Sequence, residues 1–422
     1  MHEFKYKGNE FYCEDVRVSE IAEKAGTPVY IYSYKTLRDH YRKIKDAFKS
    51  IKPLICFSMK SNSNLAVLSA LVKEGSGLDI VSGGELYRAM KVGVDPKKIV
   101  YASVGKTSNE IKKAIQAGIL IFNVESLPEL IMINNVCRKL GNVRHRMFVS
   151  IRVNPDVEAH THKYITTGKK ETKFGLDIDT AKELFRNRKE LPDIDMAGVH
   201  IHIGSQIIEP EPFIKSIERL LPFIRDLKKM GVALRWFNIG GGLGITYKEE
   251  KPQTARDFAR VVMPLLKNTG LKIILEPGRF IAGNSGILVT RVTYLKETPT
   301  KRFVIVDAGM NDLIRPSLYD AYHDIVPLVR QKEGVKKMVA DVVGPICESG
   351  DFLAKDRELP ELVAGNLLAV MGAGAYGFTM SSNYNSRPRA PEVMVKGNRF
   401  YIVRKRETNQ DLIRGESIPE YK

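Results

Sequence analysis

The 422-residue chain reads as an α/β protein, a parallel (β/α)8 TIM barrel with a second, antiparallel β domain formed by both chain ends. Three observations lead there. Eight short apolar segments recur from Pro53 onward between stretches of helical periodicity, the hydrophobic period changes to two after residue 281, and the opening FKYKGNEFYC alternates about a Gly8-Asn9 turn.

In chain order, the opening hairpin comes first. A lone hairpin is barely stable in water, so it is expected to join the C-terminal sheet. The apolar segments follow: LICFSM, GLDIV, KIVYAS, LIFNV, MFVSIRV, AGVHIHI, LRWFNI and LKIILE. Between them lie amphipathic, Gly-terminated stretches such as SNEIKKAIQAG and LPELIMINNVCRKLG, which predict helices. Residues 33–281 therefore form the barrel, a span matching the usual ~250 residues of that fold. The fifth-to-sixth connection is long and carries HTHKYITTGKKETKFG before a helix at IDTAKELF; a loop of this length is expected to be functional and to order over bound substrate. Residues 1–32 plus 282–422 make the β domain, sandwich-like or barrel-like. Its strands come from GILVTRVTYLK, RFVIVDAG, KKMVADVVG, LLAVMGAG and the hairpin EVMVKGNRFYIV, turned at Gly397-Asn398.

Composition narrows the function. The start, MHEFKYKGNE, lacks the apolar core of a secretory signal, and no segment offers the 18 or so apolar residues of a membrane span, so a cytoplasmic address and no membrane partner are expected. Cys13, Cys56, Cys137 and Cys347 form no C-x-x-C pair, which argues against a zinc ribbon or a disulfide framework. The 66 Lys plus Arg against 49 Asp plus Glu leave a net charge of +17. Basic and acidic residues are interspersed, so the excess reads as an anionic substrate and a charge-rich surface, and a nucleic-acid partner is not expected.

Barrel chemistry sits at the carboxyl ends of the strands. Strand one ends in Lys60, strand three in Ser103 with Lys106, strand five in Arg152-Asn154 and strand six in His202-Ile203-Gly204-Ser205-Gln206. Strand seven ends in Gly240-Gly241-Gly242 and strand eight in Glu276-Pro277-Gly278-Arg279. The last two are the loops where barrels commonly bind phosphate through backbone N–H groups, to which Ser205 adds a hydroxyl. Read alone, the glycines also fit a tight turn and Lys60 a surface position. Together they point to pyridoxal 5'-phosphate, whose aldehyde a lysine amine of lowered pKa captures as a Schiff base. Glu276 can then face the pyridine nitrogen, and His202 can lie against the ring; a hydrogen-bonded core histidine is the alternative for the latter.

Two other motifs are decoys. Gly372-x-Gly374-x-x-Gly377 fits a dinucleotide fingerprint but follows an antiparallel strand and leads to Pro388, so it reads as a turn. Gly105-Lys106-Thr107 has Val100 where a P-loop needs glycine.

These residues, in this order, resemble the fold-type III, alanine-racemase-like pyridoxal-phosphate enzymes, most closely the diaminopimelate decarboxylases. The markers are FSMKSN, DIVSGGEL, RVNP, KFGL, HIHIGSQ, GGGLG and EPGR in the barrel, with RPSLYDAYH, GPICESGD and GAYGF beyond it. The resemblance implies that Lys60 carries the cofactor, His202 stacks on it and Glu276 pairs with its ring nitrogen. It further implies that Ser205, Gly240 to Gly242, Pro277, Gly278, Arg279 and Tyr376 surround the cofactor, and that Cys347 returns a proton after CO2 leaves. The GPICESGD segment of such enzymes serves the neighbouring subunit, which implies a homodimer with shared sites.

Substrates in this family are diaminopimelate, ornithine, arginine and carboxynorspermidine. Diaminopimelate needs a cation and an anion at its far end. Arg279 and Arg315 can grip the distal carboxylate, Glu348 can take the ammonium, and Tyr319 and Tyr376 can supply hydroxyls; Arg315 and Glu348 also fit a structural ion pair. The product is then L-lysine, and no metal is required. A metal-dependent barrel hydrolase using His200-x-His202 would place its pair after strand one, and a non-catalytic cofactor carrier has no use for Cys347 and Glu348. A racemase of this fold carries arginine where Glu276 stands. Borohydride reduction of cofactor-loaded protein followed by peptide mapping is expected to label Lys60; label on any other lysine overturns the site map.

Overall fold

The computed structural model describes residues 2–141, 146–157, 173–331 and 334–421. The chain divides into two compact units. One holds residues 38–246 and 250–281, the other residues 1–37, 247–249 and 282–422.

Eight parallel strands close the first unit into a barrel. Strands one to four are Leu54–Ser58, Gly77–Ile80, Ile99–Tyr101 and Ile121–Val124; strands five to eight are Met147–Arg152, Ile194–His200, Trp236–Asn238 and Lys272–Leu275. Closure is made by strand eight on strand one, Ile274 opposite Leu54 and Leu275 opposite Ile55. All eight apolar segments are strands. Strand six begins and ends earlier than its AGVHIHI segment, because Ile201 to Gln206 leave the ladder through a Gly204 φ of 151° and a Gln206 φ of 61°. The loop expected to order over substrate, residues 160–175, lies outside the described residues except for 173–175.

Most barrel helices start at a side-chain cap, the long helix Glu211–Lys229 after strand six being an exception. Asn64, Ser82, Thr107, Ser126, Asp177 and Thr254 accept hydrogen bonds from N–H groups of the helices they precede, and Thr107 with Glu110 makes a full capping box. The barrel interior is filled by Cys56, Val100, Ile121, Ala197, Trp236 and Ile274. Lys106 is buried and donates to the Ser103 and Asn123 carbonyls and to Glu129, so it fastens the strand-three and strand-four loops together and is no P-loop lysine. Burial lowers its pKa against the opposing pull of Glu129.

The second unit is a nine-stranded sheet. Val29–Ser33 runs antiparallel to Gly286–Glu297 and parallel to Glu392–Lys396. Arg302–Val306 and Lys337–Val343 are also parallel, so the expected antiparallel sheet is in fact mixed. The opening hairpin does not join it. Glu10–Cys13 pairs with Phe4–Lys7 and Val16–Arg17 in a separate small sheet, tied to the rest of the unit by an isolated bridge between Glu10 and Val329 and by hydrogen bonds from Phe11 N–H to the Leu328 carbonyl and from Asp15 N–H to the Gly397 carbonyl. The reason is packing: Phe4, Phe11, Cys13 and Val16 are spent covering Ile287, Val289, Val393 and Val395 on the face of the large sheet. Both chain ends thus share one core. The Gly372 to Gly377 motif is a turn, as expected, and a side chain at Gly374 would collide with the Ala282 carbonyl. No helix among the described residues is long and apolar enough to cross a membrane.

Glu14 fastens the two chain ends. Its buried carboxylate accepts from Ser33 Oγ and Lys35 N, both at 2.8 Å, and from Gly397 N at 2.6 Å. Glu14→Ala leaves these donors unmatched and is expected to cost about 3 kcal/mol, read as an earlier urea midpoint. Glu14→Gln keeps an acceptor and is expected to lose less; an unchanged midpoint for the alanine variant would remove Glu14 from this role.

Candidate active site

Lys60 lies in a single helical turn, Met59–Ser61, immediately after strand one. The turn is held from both sides. Ser58 N–H donates to the Pro277 carbonyl at 3.1 Å, Ser61 Oγ donates to the Ser58 carbonyl at 2.7 Å, and the Met59 side chain is fully buried. The lysine is half-buried, and its charge acts on His202 and Asp79.

Glu276, after strand eight, is buried. Its Oε1 accepts from Asn123 Nδ2 at 2.9 Å and Asn238 Nδ2 at 2.6 Å, and its Oε2 lies 3.3 Å from His200 Nε2. Burial pushes this carboxyl up. His200 and the Asn238 amide outweigh burial and bring it down to about 2, so Glu276 is ionised. Asp79, at the end of strand two, goes the other way: burial first and the Glu276 charge second raise it well above the carboxylate range. The two carboxyls are thus pushed in opposite directions within the same interior. Ser58 Oγ is 2.6 Å from Asp79 Oδ2, while Asp79 Oδ1 is buried without a hydrogen-bond partner.

His202 accepts the Gly241 N–H on Nδ1 at 3.3 Å. Burial, then the charges of Lys60 and Arg152, hold its pKa well below 6.5, so the ring is neutral. Its backbone is fixed by Arg152, which donates to the His202 carbonyl at 3.2 Å and pairs with Glu125 at 2.8 Å, both side chains being buried.

The glycine run makes a bare cradle. Gly240 has φ +69°, and a Cβ there would sit 2.6 Å from the Ile201 carbonyl; a Cβ at Gly241 would collide with the Glu276 carbonyl. Arg279 donates to Ser205 Oγ from Nε at 3.2 Å and Nη2 at 3.0 Å. Gln206 ties the loops together in the manner of a strand: its Nε2 donates to the Ile245 carbonyl at 2.6 Å and its Oε1 accepts the Ile245 N–H at 3.1 Å. Lys60, His202, Ser205, Gly240 to Gly242, Glu276, Pro277, Gly278 and Arg279 all lie at the carboxyl ends of barrel strands.

The remaining predicted residues belong to the β unit. Arg315 and Tyr319 bracket the short helix Arg315–Tyr319, and Tyr376 has φ +57° in the Gly372 to Gly377 turn. Cys347 and Glu348 are exposed on the turn joining Lys337–Val343 to Phe352–Pro360. Asp351 shapes that turn by accepting N–H bonds from Met310 and Ile346, both at 2.6 Å, and Asn385 Oδ1 accepts the Cys347 N–H at 2.8 Å. Sequence reasoning missed Asn123, Asn238, Asp79, Gln206, Asp351 and Asn385. For the two barrel asparagines a signal was present, a polar residue inside an otherwise apolar strand.

The residues fit pyridoxal phosphate. They provide an amine for its aldehyde, an ionised carboxylate for its ring nitrogen and a neutral imidazole for its face. A cradle that no side chain can fill, with a hydroxyl and a guanidinium beside it, suits its phosphate. Among the described residues no group of three or more His, Cys, Asp or Glu side chains converges to hold a metal. Gln206→Ala is expected to weaken pyridoxal phosphate binding about tenfold, roughly 1.4 kcal/mol, as read by titrating cofactor absorbance; undiminished affinity would show that the Gln206 tie does not organise the cradle.

The family model described as "Pyridoxal-dependent decarboxylase, pyridoxal binding domain" matches residues 34–283. The chain is 49% identical over 418 residues to a diaminopimelate decarboxylase of Pseudomonas aeruginosa, covering 99% of each chain. Among solved structures, diaminopimelate decarboxylase from Helicobacter pylori complexed with L-lysine is 42% identical with a TM-score of 0.89, covering 94% of this chain and 98% of that one. The enzyme from M. jannaschii in co-complex with L-lysine is 37% identical with a TM-score of 0.93, covering 99% of both. With identity at this level over its whole length and a pyridoxal-binding barrel, the chain belongs to the diaminopimelate decarboxylase family of pyridoxal-dependent decarboxylases.

Proposed function

We infer that this chain is a cytoplasmic, homodimeric enzyme that decarboxylates meso-2,6-diaminopimelate to L-lysine and CO2 with pyridoxal phosphate, the last step of lysine biosynthesis. The observation that carries the reaction class is Glu276, a carboxylate kept ionised in the barrel interior after strand eight, the neighbour of the strand that leads to Lys60. The relatives named for diaminopimelate, two of them with L-lysine bound, carry the substrate. Four free cysteines fit a reducing compartment.

Pyridoxal phosphate, when bound, supplies the electron sink that accepts the pair left on Cα as CO2 departs. Lys60 would hold its aldehyde carbon, and Glu276 would keep a proton on its ring nitrogen. Neutral His202 would pack against the ring without adding charge. Ser205, Arg279 and the N–H groups of Gly240 to Gly242 and Gly278 would bind the phosphate, with Tyr376 beside it. Arg315 and Arg279 would hold the distal carboxylate of the substrate, Glu348 its ammonium, and Tyr319 would add a hydroxyl. Cys347 would deliver one proton to Cα, replacing the lost CO2. Its exposure on its own chain supports its use by a second copy.

CO2 release measured side by side with meso-diaminopimelate, ornithine and arginine is expected to favour the first; preference for either other amino acid would overturn the substrate assignment. Lys60→Ala and Cys347→Ala variants are each expected to be inactive. Dissociated and reassociated together, they are expected to recover about a quarter of wild-type activity, because half the dimers are mixed and each mixed dimer has one intact site. No recovery from demonstrably mixed dimers would mean that the site is not shared.

A further inference from the structure

The RPSLYDAYH segment ends in His323, a fully buried residue to which the reaction gives no task. Its ring nitrogens have opposite neighbours. Nε2 is 2.9 Å from Arg315 Nη1, and Nδ1 is 2.7 Å from the Met371 carbonyl. A guanidinium N–H only donates and a carbonyl only accepts, so Nδ1 carries the proton and Nε2 presents its lone pair. The ring is a neutral imidazole in one tautomer. A second proton would set an N–H against an N–H.

Both sides of this contact are fixed. Met371 N–H returns a hydrogen bond to the Asp324 carbonyl at 2.8 Å, and Ile325 pairs with Val370, so His323 and its carbonyl partner are held by one strand ladder. Tyr247 covers the other side. Its ring lies 4.7 Å from the Arg315 guanidinium carbon and meets the His323 ring edge-on at 5.3 Å between centroids. Gly372 leaves room for Tyr247, since a Cβ there would sit 3.2 Å from its Cε1. Arg315 is 5% exposed.

We propose that His323 is a positioning residue for substrate selection: with Tyr247 it fixes the plane of the Arg315 guanidinium, which then receives the distal carboxylate in a preset orientation. This rests on the reading of Arg315 as the carboxylate grip. A carboxylate in place of His323 would also orient the guanidinium, but it would neutralise the charge that the ligand must meet. A neutral acceptor orients without cancelling it.

The test uses the cofactor-loaded enzyme with two inhibitors, L-lysine, which retains the distal amino-acid head, and cadaverine, which lacks its carboxylate. His323→Leu is expected to raise KM for meso-diaminopimelate and Ki for L-lysine about tenfold or more, while Ki for cadaverine and the cofactor spectrum hold to within about twofold. His323→Gln, which can still place an acceptor near Arg315, is expected to restore both constants to within about threefold of wild type. Equal weakening of L-lysine and cadaverine, or no rescue by glutamine, would reduce His323 to a structural residue and overturn the proposal. Arg315→Ala separates the two ideas: if it leaves KM unchanged, the carboxylate grip itself is wrong. If it raises KM while His323→Leu does not, the grip stands and His323 does not position it. Should the leucine variant fail to fold, the glutamine variant against wild type at the two inhibitors still decides, since the proposal requires L-lysine affinity to survive that change.

Discussion

Glu276 carries a negative charge inside a ring of parallel strands, and the cost of keeping it there shapes the interior. Burying a carboxylate without partners is costly enough that it would normally take up a proton. Here Asn123, Asn238 and His200 reach it from strands four, seven and six, and their combined pull exceeds the desolvation penalty. The same charge opposes a second one nearby. Asp79 is pushed well above the carboxylate range because burial and Glu276 both oppose its ionisation. One electrostatic decision thus pushes two carboxyls in opposite directions without any difference in their chemistry.

The glycine turn after strand seven follows a different logic, in which space matters more than charge. The close approach of the Glu276 carbonyl to Gly241, and of the Ile201 carbonyl to Gly240, excludes any side chain from these positions. What such a bare turn lacks in side-chain packing, Gln206 restores by pairing with the Ile245 backbone. Arg152 does similar work beneath His202, with Glu125 absorbing its charge. The strand-end residues proposed to act in the reaction are therefore held by polar neighbours that touch no ligand in that proposal.

Much of the architecture was legible because eight buried strands must each be apolar and must alternate with amphipathic helices. Lys60, Glu276 and the glycine run stood out because they break those apolar patterns at the same end of every strand. The asparagines that hold Glu276 were harder to value: LIFNV and LRWFNI each show a polar residue, but which carboxylate it serves depends on how the barrel closes. The opening hairpin was read as a hairpin and misassigned as a strand pair of the large sheet, since periodicity reveals an apolar face without saying what it covers. Tyr247 falls in the β unit although the sequence places it inside the barrel span, a long-range arrangement with no local signature. His323 lay within a quoted motif, yet its tautomer depends on Met371, 48 residues further on.

Val29–Ser33 sits between Gly286–Glu297 and Glu392–Lys396, with no sheet partner closer in the chain than residue 286. During synthesis this strand leaves the ribosome long before either neighbour exists. All eight barrel strands, by contrast, emerge in one uninterrupted series and can assemble as they appear. The order of manufacture therefore leaves an early apolar segment waiting on residues more than 250 positions later, and a truncation that removes Glu392–Lys396 uncovers one edge of Val29–Ser33.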